Sequence, residues 1–227
     1  MLYYHYWSRG FRRFIWFLLA FIVIAALVKL GGAGGFDRAV IRFVQSMESP
    51  PLTSLAKGLS LVGSSKLAIG ISLLTMIILF FALKHRLELA LFLWVGLGSQ
   101  LLNTLLKLWF HRERPSINRL IEQAGYSFPS GHSMAAFSLY GVIAYLLWRH
   151  MHSRTERFLL ILFAVLMTGG IGWSRIYLGV HYPSDVIGGY AASGAWLMLS
   201  AAIFEAYRNY KERKGKNPRN TKDARRK

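Results

Sequence analysis

The sequence has 227 residues, 54% of them apolar, and its mean hydropathy is too high for an ordinary soluble domain. A net charge of +18 would suggest a nucleic-acid partner for a soluble protein, but membrane proteins collect Lys and Arg on their cytoplasmic side. Because the chain contains no cysteine, disulfides and thiolate metal sites are excluded. We therefore expect an integral membrane protein that contacts the lipid bilayer and no nucleic acid.

Long apolar blocks recur along the chain, and we count six of them. A block of about 17–25 residues is long enough to cross a hydrocarbon core of about 30 Å as a helix. The blocks are Phe14–Leu30, Leu67–Leu83, Leu87–Leu106, Ser133–Trp148, Phe158–Trp173 and Val186–Tyr207. We predict an all-α integral membrane protein in which residues 1–207 form one domain of six transmembrane helices, with no separate soluble domain.

The first block could instead belong to a signal peptide, because Arg9, Arg12 and Arg13 precede its apolar run. However, the run is long for a signal peptide, and a cleavage site would have to lie in the glycine-rich segment Lys29–Gly35. We therefore favour a retained membrane anchor over a cleaved signal.

Two short amphipathic helices are predicted between the first two spans, within Gly31–Lys66. Apolar residues recur there at helical spacing on either side of Pro50 and Pro51. The first set is Phe36, Val40, Ile41, Val44 and Met47, and the second set is Leu52, Leu55, Ala56, Leu59 and Val62. We expect both helices to lie at the outer membrane interface, mainly for packing, with guidance of a lipid towards a site as an alternative.

The distribution of basic residues predicts the orientation of the chain. Six spans place both termini on one side, together with the loops at 84–86 and 149–157, and most Lys and Arg residues fall on that side. Such an excess marks the cytoplasmic side of a membrane protein. The basic tail, residues 208–227, has almost no apolar residue after Tyr210, so we expect it to be disordered in the cytoplasm.

This orientation brings three polar motifs to the outer ends of adjacent spans. The segment KLWFHRERP places Lys107 and Arg114 seven residues apart after the third span. The segment PSGH, which ends at His132, starts the fourth span. The segment SRIYLGVHYPSD, from Ser174 to Asp185, connects the fifth span to the sixth. Charged and titratable side chains are therefore predicted to meet on one face of the protein.

The PSGH segment has the properties of a helix start that binds an anion. The first N–H groups of a helix have no intrahelical acceptor, and the positive end of the helix dipole lies there. Ser130 and Gly131 would present this end to a phosphate, since glycine lets an anion approach the backbone closely. Seen alone, such a segment is more often an ordinary helix start.

The third motif contains a histidine and an aspartate, His181 and Asp185, four residues apart, so they share a face if the segment is helical. A carboxylate beside an imidazole fixes its tautomer and supports the positive charge that develops as the ring reacts. Pro183 indicates that the helix starts near Ser184, which would leave His181 just outside it. The pair alone is weak evidence for catalysis.

Two histidines and an aspartate could hold a metal ion, but the surrounding charge favours an anion. Lys107, Arg114 and Arg175 bring three positive charges against the single carboxylate of Asp185. Such a cluster repels a divalent cation and holds a phosphate, for which the planar guanidinium is well suited. We expect no metal and no cofactor, and two histidines beside a phosphate favour phosphoryl transfer over simple binding.

Together the three motifs resemble the signatures of the type 2 phosphatidic acid phosphatase superfamily of integral membrane lipid phosphatases. Those signatures read KxxxxxxRP, PSGH and SRxxxxxHxxxD, and the sequence contains all three, in order, between Lys107 and Asp185. In size and layout the chain is most similar to bacterial members of that family, the phosphatidylglycerophosphatases and the undecaprenyl-diphosphate phosphatases.

The resemblance implies a role for each motif residue. His181 would be the nucleophile that forms a phosphohistidine, and Asp185 would orient it. His132 would protonate the leaving oxygen and then help to activate water. The resemblance also implies that no metal takes part. The residues that would hold the phosphoryl oxygens are Lys107, Arg114, Ser130, Gly131 and Arg175.

The implied activity is hydrolysis of a phosphomonoester or diphosphate on a membrane lipid, at the outer face of a bacterial plasma membrane. Undecaprenyl diphosphate, phosphatidylglycerol phosphate and phosphatidic acid all stay open as substrates, because the motifs contact the phosphate and not the lipid. Two alternatives also stay open. One is a phosphotransferase with an alcohol acceptor, and the other is a non-catalytic membrane protein that binds or transports a phospholipid.

Overall fold

The structure is a computed structural model that describes residues 2–82, 86–116 and 118–215, and in these ranges the chain forms helices and loops with no strand. The predicted all-α membrane fold is confirmed. A π-helical turn, Ile78–Ala82, continues the fourth helix. The helices are α1 Leu2–Lys29, α2 Gly34–Gln45, α3 Pro50–Val62, α4 Ser65–Ile77, α5 Arg86–Phe110, α6 Gly131–Trp148, α7 Arg154–Tyr177 and α8 Pro183–Gly215.

Among the described helices, four are long and apolar enough to cross a membrane. They are Gly10–Lys29 within α1, α5, α7 and Pro183–Lys214 within α8. The α3 helix and Ser65–Phe81 pass the same test as a pair bent by 51°, which would make a fifth span. The α6 helix is not among them, because polar residues such as His132 and Ser133 in its first turn lower its mean hydropathy. The count of six spans stays a prediction.

The two short helices expected between the first two spans are present as α2 and α3. The α3 helix begins at Pro50, where a proline suits the first helical turn because its missing N–H would have no acceptor there. On α2, Ile41 and Val44 are buried whereas Phe36 is half exposed, so only part of the predicted apolar stripe faces the protein. Both helices pack against α7, and α2 also packs against α8.

Several helices extend beyond the apolar blocks from which they were predicted. The α7 helix starts at Arg154 because Ser153 and Glu156 form a reciprocal capping box, with hydrogen bonds of 3.0 Å and 3.2 Å. The α8 helix continues to Gly215, past the predicted end at Tyr207. Residues 216–227 of the predicted tail, and 84–85 of a predicted cytoplasmic loop, lie outside the described residues.

The α8 helix lies at the centre of the bundle and packs against α1, α5, α6 and α7. Small residues allow these close approaches, as is common between membrane helices. A side chain at Gly98 of α5 would clash with the Trp196 ring, and one at Gly194 of α8 would clash with the Phe17 ring of α1. The main apolar core, which includes Val95, therefore lies where α5, α6 and α8 meet.

A second apolar cluster lies at the end of the bundle where α7 ends and α8 begins. It contains Ile41 and Val44 of α2, Ala56 of α3, and Leu178 and Val180 of the connection between α7 and α8. This cluster packs the two short helices onto the connection that carries the third motif. It therefore fixes the backbone on both sides of the candidate site.

Candidate active site

The structure brings the three motifs to one end of the bundle. Lys107 lies in the last turn of α5, and Arg114 lies in the loop that follows it. Residues 130–132 form the start of α6. Arg175 lies in the last turn of α7, and residues 181–185 lie at the start of α8. The predicted site residues are therefore neighbours, although the three motifs are separate in the sequence.

His181 and Asp185 form a buried pair, with their side chains 1% and 0% exposed. The distance from His181 Nδ1 to Asp185 Oδ2 is 3.3 Å. The α8 helix begins at Pro183, so His181 lies just outside it and Asp185 lies in its first turn. If Nδ1 carries the proton and donates it to the carboxylate, Nε2 keeps a lone pair that can act as a nucleophile.

The other nitrogen of the His181 ring contacts Arg114. Nε2 of His181 lies 3.1 Å from a terminal nitrogen of the guanidinium. The Arg114 guanidinium is itself fixed, because it donates to four backbone carbonyls. These carbonyls belong to Ala124, Gly125, Tyr126 and Val180. A rigid positive charge therefore lies beside the atom that would attack a phosphorus.

Burial lowers the pKa of His181 from its ordinary value of 6.5 to about 4, even though the neighbouring Asp185 carboxylate favours the protonated ring. The positive charges of Arg114 and Arg175 act in the same direction as burial. The imidazole is therefore neutral near pH 7, which is the form that has a lone pair on one ring nitrogen.

Arg175 is almost completely buried, with 1% of its surface exposed. One terminal nitrogen donates to the Ser60 hydroxyl of α3, and the other donates to the Gln123 side-chain oxygen at 2.6 Å. Its Nε has no hydrogen-bond partner within the described part of the chain. The guanidinium is thus held in place by α3 and the α5–α6 loop, with one donor still to be satisfied.

Lys107 lies against the start of α6. A Cβ atom added at Gly131 would lie 3.8 Å from Lys107 Nζ and 3.1 Å from the Asn103 side-chain oxygen. Asn103 also donates to the Pro129 carbonyl at 3.1 Å, which fixes the turn before α6. Because Gly131 has no side chain, the lysine ammonium and the first N–H groups of α6 can approach the same ligand.

Ser130 caps α6, and it is completely buried. Its Oγ accepts hydrogen bonds from the Ser133 backbone N–H at 3.4 Å and from the Ser133 hydroxyl at 2.9 Å. The Ser130 backbone N–H donates to the Asp185 carbonyl at 3.1 Å, which ties the start of α6 to the start of α8. Ser130 therefore positions the start of α6.

His132 borders a cavity of about 410 Å³. Its ring also lies close to the end of α3, since a Cβ atom added at Gly63 would lie 3.3 Å from the His132 Cδ2 atom. Arg175 lines the same cavity. The second predicted histidine thus borders open space beside a guanidinium.

The sequence analysis missed a second layer around Asp185. Arg112 donates to Asp185 Oδ1 at 2.6 Å and to Asp37 Oδ2 at 2.7 Å, so one guanidinium bridges two carboxylates. Asp37 is 1% exposed, and it also accepts hydrogen bonds from the backbone N–H and hydroxyl of Ser184. Only one signal was visible in the sequence, an acidic residue among the apolar positions of the first amphipathic helix.

Ser127 was also missed, because nothing marks it in the sequence. It is completely buried, and its hydroxyl donates to Asp185 Oδ2. The same carboxylate oxygen accepts the Tyr182 backbone N–H at 2.8 Å. Asp185 is therefore held in one orientation by donors on both oxygens, and this fixes the His181 ring in turn.

The arrangement suits a tetrahedral anion. Three cationic side chains and a helix start surround a neutral imidazole, and positive charge exceeds negative charge at this end of the bundle. Among the described residues, no group of three His, Cys, Asp or Glu side chains is placed to hold a metal ion. Chemically, the site can bind a phosphoryl group and present a nucleophilic nitrogen to it.

Comparison with known proteins points to one family. Residues 87–209 match the family model described as the PAP2 superfamily, and this range contains all three motifs. Phosphatidylglycerophosphatase B of Bacillus subtilis is 30% identical over 197 residues, which cover 86% of this chain and 96% of that protein. The candidate undecaprenyl-diphosphatase YbjG of Escherichia coli is 35% identical over 102 residues, covering 43% of this chain and 47% of that protein.

Solved structures agree with the sequence matches. The crystal structure of the transmembrane PAP2-type phosphatidylglycerolphosphate phosphatase from Bacillus subtilis matches with a TM-score of 0.79 at 30% identity. That match covers 86% of this chain and 96% of the other. The structure of LpxE from Aquifex aeolicus matches with a TM-score of 0.57 at 26% identity, over 72% of this chain and 93% of the other.

Proposed function

This chain belongs to the PAP2 superfamily of membrane phosphatases, and from that membership we propose that it hydrolyses a phosphomonoester or diphosphate on a membrane lipid through a phosphohistidine intermediate. It is a multi-pass membrane protein and a hydrolase of the lipid phosphatase type. The observation that carries the mechanism is the His181 ring, whose Nδ1 faces Asp185 and whose Nε2 faces Arg114.

In the first step, Nε2 of His181 attacks the phosphorus and a new N–P bond forms. The bond between the phosphorus and the lipid oxygen breaks, and that oxygen takes a proton from the protonated ring of His132, a form that the negative charge of the bound phosphate favours. The Asp185 carboxylate stabilises the positive charge that develops on the His181 ring. The lipid leaves as an alcohol, or as a lipid phosphate if the substrate is a diphosphate.

In the second step, a water oxygen attacks the phosphorus of the phosphohistidine. His132, now neutral, accepts a proton from this water, and the N–P bond breaks. Its electron pair returns to Nε2 of His181, and inorganic phosphate leaves. The proton lost in the first step is thus recovered in the second, so the enzyme ends the cycle unchanged.

Charge on the phosphoryl oxygens is stabilised throughout by the cationic residues. Arg114 and Arg175 have preorganised guanidinium groups, held by carbonyls and by side-chain oxygens. Lys107 Nζ lies close to Gly131, so the ammonium and the first N–H groups of α6 can contact the same phosphoryl oxygens. Donors that are fixed before the reaction starts stabilise a transition state without further reorganisation.

The test of this function is phosphate release from lipid substrates by the purified protein in detergent with excess EDTA. We expect release from phosphatidylglycerol phosphate, undecaprenyl diphosphate or phosphatidic acid. We expect His181→Ala to lose both turnover and phosphoenzyme labelling, and turnover to fall by at least about 10³-fold, as for other covalent nucleophiles. The matched control is His152→Ala, an exposed histidine on the connection between α6 and α7.

Four outcomes would contradict the proposal in different ways. Wild-type turnover in the His181 variant would refute the nucleophile assignment. Full dependence on added magnesium would refute the metal-free mechanism. Tight binding of many phospholipids with no hydrolysis would favour a binding or transport protein. Transfer of the phosphate to an added alcohol in preference to water would indicate a phosphotransferase.

We also propose that the active site faces outward from a bacterial plasma membrane, with both termini in the cytoplasm. The support comes from the basic loops and tail, whose Lys and Arg residues mark the cytoplasmic side of membrane proteins. The site lies at the opposite end of the bundle from the connection between α6 and α7, which contains Arg149 and is followed by Arg154 and Arg157 at the start of α7.

A further inference from the structure

The cavity beside His132 extends away from His181 towards α3. It has a volume of about 410 Å³ and is open on one side. Its wall is formed by α3, the start of α4, the α5–α6 loop and the ends of α6 and α7. The lining residues are Lys57, Ser60, Leu61, Ser64, Ser65, Ile121, Gln123, His132, Arg175 and Leu178.

Two buried donors in this wall have no hydrogen-bond partner within the described part of the chain. They are Nε of Arg175 and the hydroxyl of Ser64. Arg175 is 1% exposed, so its Nε has little access to bulk solvent. Buried donors are nearly always satisfied in folded proteins, so two unpaired donors on residues of this wall favour an occupant that offers hydrogen-bond acceptors.

Lys57 adds a positive charge to the same wall. It lies one helical turn before Ser60 on α3, so the two side chains lie on the same face of that helix. Lys57 is exposed, and it forms no ion pair within the described residues. The lining contains no acidic residue, so nothing in the wall neutralises the ammonium. The cavity therefore favours a negatively charged occupant.

The position of the cavity identifies which part of a substrate would enter it. In the proposed mechanism His132 gives its proton to the leaving oxygen, so the leaving group departs on the His132 side of the phosphorus. His132 borders the cavity, whereas His181 does not line it. The cavity thus lies where the atoms beyond the leaving oxygen must be placed.

We propose that this cavity is a subsite for a second anionic group, carried by the leaving group of the substrate. The leaving group of phosphatidylglycerol phosphate is phosphatidylglycerol, which keeps a phosphodiester, and that of a polyprenyl diphosphate is a polyprenyl phosphate. The leaving group of phosphatidic acid is a neutral diacylglycerol. The subsite selects the first two over the third, and Lys57 is its main determinant. This inference rests on the proposed phosphatase function.

The test compares kcat/KM for matched pairs of substrates in micelles of a neutral detergent. The pairs are phosphatidylglycerol phosphate with phosphatidic acid of the same acyl chains, and farnesyl diphosphate with farnesyl phosphate. The variants are Lys57→Gln, Lys57→Arg and the control Lys66→Gln. Lys66 is an exposed lysine in the first turn of α4, and it does not line the cavity.

We expect Lys57→Gln to lower kcat/KM for the two-phosphate substrates about tenfold, mainly through KM, as for the loss of one charge-assisted hydrogen bond. It should change kcat/KM for phosphatidic acid and farnesyl phosphate by less than about twofold. Lys57→Arg should keep most of the selectivity, because the charge is retained. Lys66→Gln should leave the ratio of the two kcat/KM values unchanged.

If Lys57→Gln left the ratio of kcat/KM within each substrate pair unchanged, the proposed subsite would be refuted. It would also be refuted if the wild-type enzyme showed no preference for the two-phosphate substrates. An equal loss on all four substrates would show that Lys57 attracts anions in general rather than the second phosphate. These results are distinct from failure of the proposed function, in which the wild-type protein would release no phosphate from any of the four.

Discussion

The two nitrogens of the His181 ring have different partners, and this difference gives the residue its chemistry. Nδ1 lies 3.3 Å from Asp185, which accepts a hydrogen bond from it, and Nε2 lies 3.1 Å from Arg114. Since a guanidinium has no lone pair, it can only donate to Nε2, and that contact requires the unprotonated nitrogen. The geometry therefore selects a single tautomer before any substrate binds.

The lowered pKa of His181 predicts how the stability of the protein depends on pH. In the folded protein the ring takes a proton only near pH 4, whereas in the unfolded chain it does so near its ordinary value of 6.5. Between these values the unfolded state binds more protons, so the free energy of unfolding falls as the pH is lowered from 6.5 to 4. Above pH 6.5 the ring is neutral in both states, so the free energy of unfolding no longer depends on the titration of His181.

The measurement is the thermal melting temperature of the detergent-solubilised protein between pH 7.5 and 4.5. On acidification, the melting temperature of the wild-type protein should fall further than that of the His181→Gln variant, which has no group that titrates at this position. An equal loss in both proteins would show that other groups control acid stability.

Among the helices, α2 has an effect on the site that its place in the sequence does not suggest. Its buried residue Asp37 accepts a hydrogen bond from Arg112, and the same guanidinium donates to Asp185. The Arg112 guanidinium also lies 4.0 Å from the centre of the Tyr182 ring, which restricts its rotation. A helix outside the family match therefore orients the carboxylate that orients His181.

We predict that Arg112→Lys lowers kcat about 10–100-fold while KM changes little, because a lysine cannot bridge two carboxylates and small misplacements of reacting groups are costly. Asp37→Asn should lower kcat in the same way, and the double variant should be little worse than the worse single one. The readout is kcat and KM on one lipid substrate.

The control for these variants is Arg38→Lys, an exposed residue on the same helix as Asp37. It should retain the wild-type kcat. Additive losses in the double variant would show that Arg112 and Asp37 do not act through one another. An unchanged kcat in the Arg112→Lys variant would refute the proposed positioning role of Arg112.

The sequence predicted helices well where apolar blocks are long, and less well at their ends. The α8 helix extends beyond its predicted end at Tyr207 because charged residues continue the helix after the apolar region ends. Glu205 and Arg208 form an ion pair of 2.7 Å there. The start of α7 was also missed, since a capping box depends on local hydrogen bonds that hydropathy does not detect.

For the site, sequence patterns identified residues whose chemistry is rare at the ends of membrane helices. His132, His181 and Asp185 stand out for this reason, and their catalytic roles stay predictions. Arg112 and Asp37 did not stand out, because basic and acidic residues are common in loops and amphipathic helices. Their importance follows from contacts between distant segments, which a single sequence does not reveal.

In the molecule as a whole, α8 is the central helix and α1 is peripheral. In the apolar window of α8, 67% of the residues are buried, compared with 6% for α1. The lipid-facing residues of α1 are accordingly apolar and exposed, as with Trp16 at 72% and Val23 at 58%. Such surfaces are stable in a bilayer and would aggregate in water.

The proposed orientation is directly testable because the chain contains no cysteine. We predict that Ser116→Cys, in the α5–α6 loop, reacts with a membrane-impermeant maleimide added to intact cells. His152→Cys, in the connection between α6 and α7, should react only after the membrane is permeabilised. Both positions are exposed in the structure. The reverse pattern would place the active site in the cytoplasm.

The contact between α2 and α8 also has a consequence for biosynthesis. The Ser184 backbone N–H donates to Asp37, although the two residues are 147 positions apart. Until α8 has been synthesised and inserted, the Asp37 carboxylate lacks both hydrogen bonds from Ser184, and Arg112 lacks Asp185. A nascent chain can therefore place its early helices in the membrane before the proposed active site has formed. In the proposed mechanism, the protein can cleave a lipid phosphate only once the last helix is in place.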